Sequence, residues 1–354
     1  MPSVANAIVI RASVVPLAAR SSQYGVAAVV GLSDADAKNT PREYTQLSTL
    51  LTDHGADTPV GTAAKAAFEN GIGSLYVVSI SAVAADQPTA DEVAAALATL
   101  LPHVTTHDVA GVCLAGIYSD QPALLKKLAA FAEANKIIFT TTHPAGAEVA
   151  DIVSAVKQID SEYGMFVAHA DPEFTGDLAA ATLGHIMTLH PAYRIGWTAV
   201  DVAVTKYFPA ADVETLETAR VNAVLLLKND GRNYLSNQLT LTQQSEKSQY
   251  LDILRKTQWI VSNLQDDLTT YMLNTPYIRY DDVGFAYIEG RIMATLERLK
   301  GDNQVLSSYE IAMPRLADIP AASQRERILT GIQILVKAPG DIQGMVIPLI
   351  VEAF

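Results

Sequence analysis

The histidines are the residues of this chain whose spacing comes closest to that of a metal site. His103 and His107 are four positions apart, and His185 and His190 are five apart. A zinc site needs further ligands at fixed geometry, and two side chains five positions apart on a helix point about 140° away from each other. We therefore interpret these histidines as solvent-facing or capping residues and expect no bound metal.

Cys113 and two acidic pairs are the other candidates for chemistry. Cys113 lies inside an apolar run that is typical of a small buried residue, whereas a nucleophilic thiol needs an activating base and access to substrate. Asp281 and Asp282 precede a predicted helix, where carboxylates favour the helix dipole and Asp282 can cap. Asp266 and Asp267 are expected to be solvated, away from the apolar face of their helix. These residues predict no catalytic site, so we expect a protein that is not an enzyme.

The glycine pattern does not predict a nucleotide site. The chain has no P-loop sequence of the type G-x-x-x-x-G-K-[ST]. The nearest glycine-rich turn, at 71–73, lies between a predicted helix and a strand, which is the reverse of a dinucleotide-binding fingerprint. We interpret it as a helix stop and expect no cofactor.

Composition excludes several classes of protein. The chain has 354 residues, of which 49% are hydrophobic and 18% charged, which is too apolar for a disordered chain. A single cysteine excludes a disulfide scaffold. Its 25 basic residues are outnumbered by 38 acidic ones, giving a net charge of −13, which disfavours nucleic-acid binding. Since no apolar run reaches the length of a membrane span and no basic signal-peptide region precedes the first strand, we expect a soluble protein made in the cytoplasm.

Strand and helix signals alternate through the first part of the chain. Residues 25–31 and 75–80 are apolar runs of strand length, and a helix is predicted to begin at Thr40, with Pro41 in its first turn and Glu43 at the capping-box position. This alternation is typical of an α/β fold. The remaining strands are predicted at 109–117, 137–142 and 165–168, and the remaining helices at 60–69, 123–134, 148–159 and 177–189.

The second part of the chain mixes long helices with short strands. Two helices are predicted from apolar residues that recur every three or four positions, and Gly301 follows the second of them. The strands are predicted at 221–228 and 305–313, the long helices at 249–273 and 283–300, and a short helix at 321–327.

Both ends of the chain are rich in strand-forming residues. Residues 5–15 are closed by Pro16, residues 344–354 are almost continuously apolar, and residues 328–337 alternate between apolar and polar side chains. A strand at a chain end needs a pairing partner to stay ordered. Two alternatives remain open: pairing within the chain's own sheet, or strand addition to a neighbouring subunit. The end-strand candidates are Ile8, Val9, Ile10, Val346, Ile347, Leu349, Ile350 and Val351, and the candidate acceptor residues are Ile332, Ile334 and Val336.

Four stretches, in this order and spacing, resemble the contractile tail sheath proteins of bacteriophages and related injection systems. Residues 24–31 are similar to the family's G-x-x-x-x-V-G strand, and residues 68–80 to its F-F-x-N-G-G-x-x-x-Y-V-V-R-V element, with Ile72 in place of a glycine and Ser79 in place of the arginine. Residues 196–199 with 221–224 resemble the family's W-x-A-P … L-N-x-x-G-I-N passage, with Val200 in place of the proline. The order of helices and strands after residue 283 resembles the family's inner domain.

The resemblance implies an α/β fold: an α+β inner domain that contains an inserted small α/β domain, and terminal strands exchanged between subunits. The implied division is an N-terminal arm at 1–22, an inner domain split between 23–81 and 201–337, an inserted outer domain at 82–200, and a C-terminal arm at 338–354. Hinges would lie at Pro16, Pro339 and Gly340, and the surface facing the tube would include Arg325 and Arg327.

The resemblance also implies a mechanism and partners. Sheath subunits polymerise around an inner tube in a metastable extended state, and contraction drives the tube through a target envelope while strand exchange keeps neighbours linked. The partners would be other copies of this chain, the tail tube protein, and baseplate and terminator proteins, in a virion tail assembled in the host cytoplasm. Two alternatives remain: an α/β enzyme or ligand-binding protein that uses residues 82–200, or another tail or baseplate component.

Overall fold

The computed structural model describes residues 25–81, 87–106, 109–227, 230–301 and 305–340. The predicted arm residues, Ile8 to Ile10 and Val346 to Val351, lie outside these ranges, as do Pro16 and His107. The predicted α/β class is confirmed. Within the described residues, no helix combines the length and the apolar character needed to cross a bilayer.

Short apolar runs bounded by turns form a layered α/β unit. Val26–Gly31 and Ser74–Ser79, for example, are buried at almost every position, as expected for strands covered on both faces. The strands of this unit are β1 (Val26–Gly31), β2 (Arg42–Tyr44), β3 (Ser74–Ser79), β4 (Gly111–Ala115), β5 (Ile138–Thr141), β6 (Gly164–Ala168), β7 (Val221–Leu226) and β8 (Asn233–Leu235). Its helices are α1 (Leu47–His54), α2 (Pro59–Glu69), α3 (Ala90–Thr99), α4 (Leu101–Thr106), α5 (Pro122–Asn135), α6 (Val149–Val156), α7 (Leu178–Thr188) and α8 (Ala210–Thr218).

All eight strands belong to one sheet in the order β2-β3-β1-β4-β5-β6-β7-β8. The six central strands are parallel, and β2 and β8 are antiparallel edge strands. The sheet crosses both boundaries of the predicted insertion, because β1 pairs with β4 and β6 pairs with β7. One hydrophobic core runs through all of it. Residues 82–200 therefore share a sheet and a core with the segments on either side of them.

The prediction of a helix that begins at Thr40 was wrong. Arg42–Tyr44 instead forms β2, which pairs antiparallel with Leu75–Val77 of β3. Glu43 does not complete a capping box, because its carboxylate accepts hydrogen bonds from Ser74 and Tyr76 of β3. Pairing at the sheet edge therefore overrides the local helix signal, and α1 begins at Leu47.

The C-terminal part forms a second unit, which packs two long helices against a two-stranded sheet. Its elements are α9 (Leu251–Asn274), α10 (Asp282–Gly301), β9 (Ser308–Ala312), α11 (Ala321–Glu326) and β10 (Gln333–Lys337). The first turns of α9 belong to the core of the large sheet, whereas Ile260, Leu264 and Leu268 of the same helix belong to a second core with α10. Helix α9 thus contributes to both cores and joins the two units.

Two predictions about acidic residues in this unit were wrong. Asp267 is not simply solvated: it accepts hydrogen bonds from Thr295 Oγ1 at 2.7 Å and from Arg298 of α10 at 2.9 Å, so it ties the two long helices together. The carboxylate that caps α10 is that of Asp281, which accepts from Gly284 N, whereas Asp282 accepts from Leu316 N.

Candidate assembly site

Three of the residues first considered for chemistry, Cys113, His185 and His190, are buried or hydrogen-bonded within the fold. Cys113 is fully buried in β4, and burial raises the pKa of its thiol well above the ordinary value. His185 Nε2 lies 2.8 Å from Thr198 Oγ1, and burial lowers the pKa of this histidine to about 4. His190 Nδ1 accepts from the backbone of Ala192. Within the described ranges, no three His, Cys, Asp or Glu side chains are grouped so that they could hold a metal ion.

The carboxyl edge of the parallel sheet, where an α/β enzyme would bind its ligand, carries a buried polar cluster after β5 and β6. His143 Nε2 accepts from His169 N, and His169 Nδ1 accepts from Asp171 N. Asp171 accepts from both the backbone and the hydroxyl of Thr205, which lowers the pKa of Asp171 to about 2. Burial lowers the pKa of His169 to about 4. These groups bind the loops of the protein itself, so the cluster fixes loop conformation.

The strand that carries the predicted acceptor residues pairs on one side with β9. Ile334 lies opposite Ile311, and Val336 lies opposite Tyr309. The side chains of Ile334 and Val336 of β10, and that of Ile332 just before the strand, pack against the second core. Strand β10 is shorter than predicted, because it begins at Gln333.

The other edge of β10 pairs with no strand among the described residues. The carbonyl of Lys337 accepts from Ser307 N, which immediately precedes β9. Since backbone groups alternate between the two edges of a strand with a period of two, Ile334 and Val336 direct their N–H and C=O groups to the open edge. The residues predicted to accept a strand are thus those whose backbone faces outward.

The predicted hinge residues Pro339 and Gly340 lie against α9. Lys256 Nζ donates to the carbonyl of Pro339 at 2.9 Å and lies 3.3 Å from Asp252 Oδ2. Both charged residues are 1% exposed. The point where the C-terminal arm would leave the domain is therefore anchored to a buried ion pair. This ion pair was not predicted from the sequence, although Asp252 and Lys256 are four positions apart on a predicted helix.

The same helix is bound to the large sheet unit by a second buried cation. Arg255 donates to the carbonyls of Ile186 and Leu189 at the end of α7, at 3.1 and 2.6 Å. A cation at this position also interacts favourably with the helix dipole. Arg255 and Lys256 together fix α9 between the sheet unit and the start of the C-terminal arm.

The two predicted tube-facing residues lie at the end of α11. Arg325 and Arg327 are both exposed, and Arg327 ends the helix in the left-handed conformation with a φ of 54°. The surrounding part of the chain is nearly neutral: residues 1–250 carry 15 basic and 25 acidic side chains, whereas residues 251–354 carry 10 and 13. Most of the negative charge therefore belongs to the part of the chain that contains the large sheet.

An uncharged face of α10 is exposed. Val283, Tyr287 and Met293 are 51%, 65% and 45% exposed. Leu273 in the last turn of α9 is 69% exposed, and Tyr277 in the connection that follows is 77% exposed. Large apolar side chains exposed together are typical of interaction surfaces. This surface was not predicted from the sequence, although one face of the helix carries a run of uncharged residues at helical spacing: Val283, Ala286, Tyr287, Gly290 and Ala294.

Solved structures from contractile machines share this architecture. The chain aligns with one from the contracted PVC sheath complex of an extracellular contractile injection system, with a TM-score of 0.71, 11% identity, and coverage of 99% of this chain and 98% of that chain. The fold is that of contractile sheath proteins. A chain from the contracted helical sheath of the anti-feeding prophage gives a TM-score of 0.67 at 13% identity, covering 99% and 96%.

A further match of this kind is a tail protein from a bacterium. The sheath tail protein Lin1278 from Listeria innocua gives a TM-score of 0.61 at 10% identity over 83% of this chain and 90% of that chain. The amino-acid sequence itself matches no protein-family model and no curated protein at a significant level. The sheath fold is therefore maintained here by a sequence that shares only about one residue in ten with these structures.

Proposed function

We propose that this chain is the sheath subunit of a contractile tail or injection device. It polymerises around an inner tube in a metastable extended state and contracts to drive the tube through a target envelope. The observation that carries the proposal is the match to contracted sheath structures over essentially the whole length of both chains. A chain that had borrowed one sheath-like domain would match over part of its length only.

Strand addition at β10 links neighbouring subunits in this proposal. The open edge of β10, to which Ile334 and Val336 direct their backbone N–H and C=O groups, supports it, as does the apolar character of residues 5–15 and 344–354. Backbone hydrogen bonds along an added strand provide affinity without requiring a preformed pocket. The buried anchor at Pro339 supports a fixed starting point for the C-terminal arm.

The remaining surfaces are assigned by their chemistry. The exposed face of α10 contacts a neighbouring subunit, because burying apolar surface favours association. Arg325 and Arg327 face the tube, where exposed charges make contacts that can break and reform during contraction. The acidic sheet unit lies on the outside of the polymer. The partners are further copies of this chain, the tube protein and the baseplate, and the protein is located in the tail.

Deleting residues 1–15 or residues 342–354 should leave a folded monomer that does not form a sheath. The sheet and both cores lie within residues 25–340, so neither deletion removes core residues of the described structure. Negative-stain microscopy should show striated tubes for the full chain and discrete small particles for each truncation, with unchanged circular dichroism. Tubes of normal length from either truncation would exclude strand exchange by that arm, and small particles from the full chain would contradict the sheath proposal itself.

Val336→Pro should block assembly without unfolding the monomer. The substitution removes an N–H at the open edge and leaves the pairing with β9 intact, which is the position at which a strand tolerates proline. Each lost backbone hydrogen bond weakens a contact by about 1 kcal/mol, and proline also prevents close approach of the added strand. Val336→Thr, which keeps the N–H and the β-branched shape, is the matched control. Tubes of equal yield from both variants, scored by sedimentation and microscopy, would contradict strand addition at this edge.

A further inference from the structure

Gly25 is the point at which the predicted N-terminal arm, residues 1–22, meets the described fold, and we call it the N-terminal root. It immediately precedes β1, and its φ of 123° lies in the region that favours glycine. A β-carbon built on Gly25 would lie 3.6 Å from the backbone oxygen of Met187, in the last turn of α7. The N-terminal root therefore lies against the carboxyl end of α7.

The corresponding C-terminal root, Pro339 with Gly340, lies against the first turns of α9. The Pro339 carbonyl accepts from Lys256 Nζ at 2.9 Å, and a β-carbon built on Gly340 would lie 3.8 Å from Ile253 Cδ1. Ile253 and Lys256 are three positions apart, so they lie on one face of the helix. Two successive residues of the predicted C-terminal arm are thus seated on the same face of α9.

Arg255 connects this part of α9 to the end of α7. Successive side chains on a helix point about 100° apart, so Arg255 faces a different element from its neighbour Lys256. Its guanidinium donates to the carbonyls of Ile186 and Leu189 at 3.1 and 2.6 Å. Ile186 immediately precedes Met187, against which the N-terminal root lies. Because Arg255 is 5% exposed, its bonds to these carbonyls are formed in a low-dielectric interior.

Both helices in this connection are held by packing. Leu251 and Leu254 of α9 are 0% and 1% exposed and belong to the core of the large sheet. Gly184 of α7 approaches α2 so closely that a β-carbon there would lie 2.5 Å from a backbone oxygen of α2. Close-packed interiors have low compressibility and transmit strain, so a displacement of either helix is passed to its neighbour rather than absorbed locally.

We propose that Arg255 couples the two arm roots, so that fixing one root also orders the other. The inference rests on the proposed sheath function, in which each arm binds a neighbouring subunit. A neighbour that holds one arm restricts the motion of its root, and the contacts through Arg255 restrict the other root at the same time. The second arm then binds at a lower entropic cost, which is positive cooperativity without a change of shape. Subunits therefore add to the sheath cooperatively.

Releasing the C-terminal root tests the coupling in the unassembled full-length protein. The double variant Asp252→Asn with Lys256→Met removes the bond to Pro339 together with both charges of the buried pair. Hydrogen exchange with mass spectrometry is measured below the concentration at which tubes form, relative to peptides covering β5 and β6, which report global unfolding. Peptides covering 183–192 should exchange about tenfold faster than in the wild type, the factor for one lost buried hydrogen bond. No relative acceleration at 183–192 would overturn the coupling.

The same double variant in an Arg255→Met background is the decisive comparison. Releasing the C-terminal root should then change exchange at 183–192 by less than about twofold, because the connection is already broken. A further tenfold acceleration would assign the coupling to other contacts and reject the role of Arg255. Arg255→Lys keeps the charge but loses the planar pair of donors, so it should give an intermediate factor. It provides the same comparison if the methionine variant does not fold.

Coupling is reciprocal, so strain at the N-terminal root should loosen the C-terminal root. Gly25→Ala places a β-carbon at a φ of 123°, which the backbone must leave. Peptides covering 333–340 should then exchange about fivefold faster in the wild-type background and not in Arg255→Met. Gly231→Ala is the matched control, because Gly231 also has a positive φ, of 69°, and a β-carbon there would meet no atom within 4 Å. Equal effects of the two glycine variants at 333–340 would contradict the coupling.

The exchange measurements do not depend on assembly, so the coupling and the sheath proposal fail separately. Tube formation is scored in parallel by sedimentation over a range of protein concentrations, and the wild type should assemble over a narrower range than Arg255→Met. Tubes from the wild type without coupled exchange would leave the sheath proposal standing and reject the coupling. Coupled exchange without tubes would contradict the sheath proposal and establish the connection between the two roots.

Discussion

Replacing Lys256 by Met should lower the free energy of unfolding by about 3–5 kcal/mol, the cost of leaving one charge of a buried ion pair without its partner. Lys256 and Asp252 are each 1% exposed, and the Lys256 ammonium is also bonded to the Pro339 carbonyl. Met has nearly the same volume, so the loss reflects charge and hydrogen bonding rather than a cavity. Urea unfolding followed by circular dichroism measures the change.

The double variant Asp252→Asn with Lys256→Met is the control for this result. It removes both charges, and buried pairs replaced together often recover much of the lost stability. Lys127→Met is a second control, since Lys127 forms an exposed ion pair with Asp91 and should change the stability by less than about 0.5 kcal/mol. A loss below about 1 kcal/mol for Lys256→Met would show that the pair does not anchor the start of the C-terminal arm.

Gly184→Ala should destabilise the protein by about 2–3 kcal/mol through overpacking, although alanine is the better helix former. Gly184 lies where α7 packs against α2, and a β-carbon there would lie about 2.5 Å from the backbone oxygen of Ala67. Backbone atoms cannot move aside as a flexible side chain can, so the two helices would have to separate. The melting temperature and urea midpoint report the change.

Gly290→Ala provides the matched comparison, with the opposite expected sign. Gly290 is also inside a helix, but a β-carbon there would meet no atom within 4 Å. The substitution should therefore stabilise the monomer by about 0.5–1 kcal/mol. Two glycines of the same type and conformation thus differ only in their surroundings. A loss of stability in Gly290→Ala, or none in Gly184→Ala, would contradict the packing described for α2 and α7.

The local pattern of apolar and turn-forming residues was sufficient to predict most helices and strands of the fold. The buried strands β1, β3 and β4 to β7 come from apolar runs of strand length, and α9 and α10 come from their helical periodicity. The ends of α2 follow from Thr58 and Pro59 at its start and Asn70 and Gly71 after its end. These signals act over a few residues, so they survive in any tertiary setting that buries the apolar face.

The wrong predictions share one physical cause, which is competition from distant partners. The capping-box signal at Thr40 and Glu43 was overridden because Glu43 bonds to β3, some thirty residues away. Asp267 was predicted to be solvated because the position of α10 relative to α9 is not encoded within either helix. Such contacts depend on which distant segments pack together in the folded protein, and the periodicity of the sequence does not specify this.

The sequence by itself determined the α/β class, most of the central strands, the two long helices and the resemblance to sheath proteins, because these depend on local propensity and on spacing along the chain. It did not predict α3, α4, α8 or β8. Only the tertiary structure showed that residues 82–200 share one sheet with their flanks, that Lys256 holds Pro339, and that the backbone groups of Ile334 and Val336 face an open edge. Strand neighbours and buried charge pairs arise between residues far apart in sequence. Their formation depends on the tertiary structure, which the local conformational preferences of the residues do not specify.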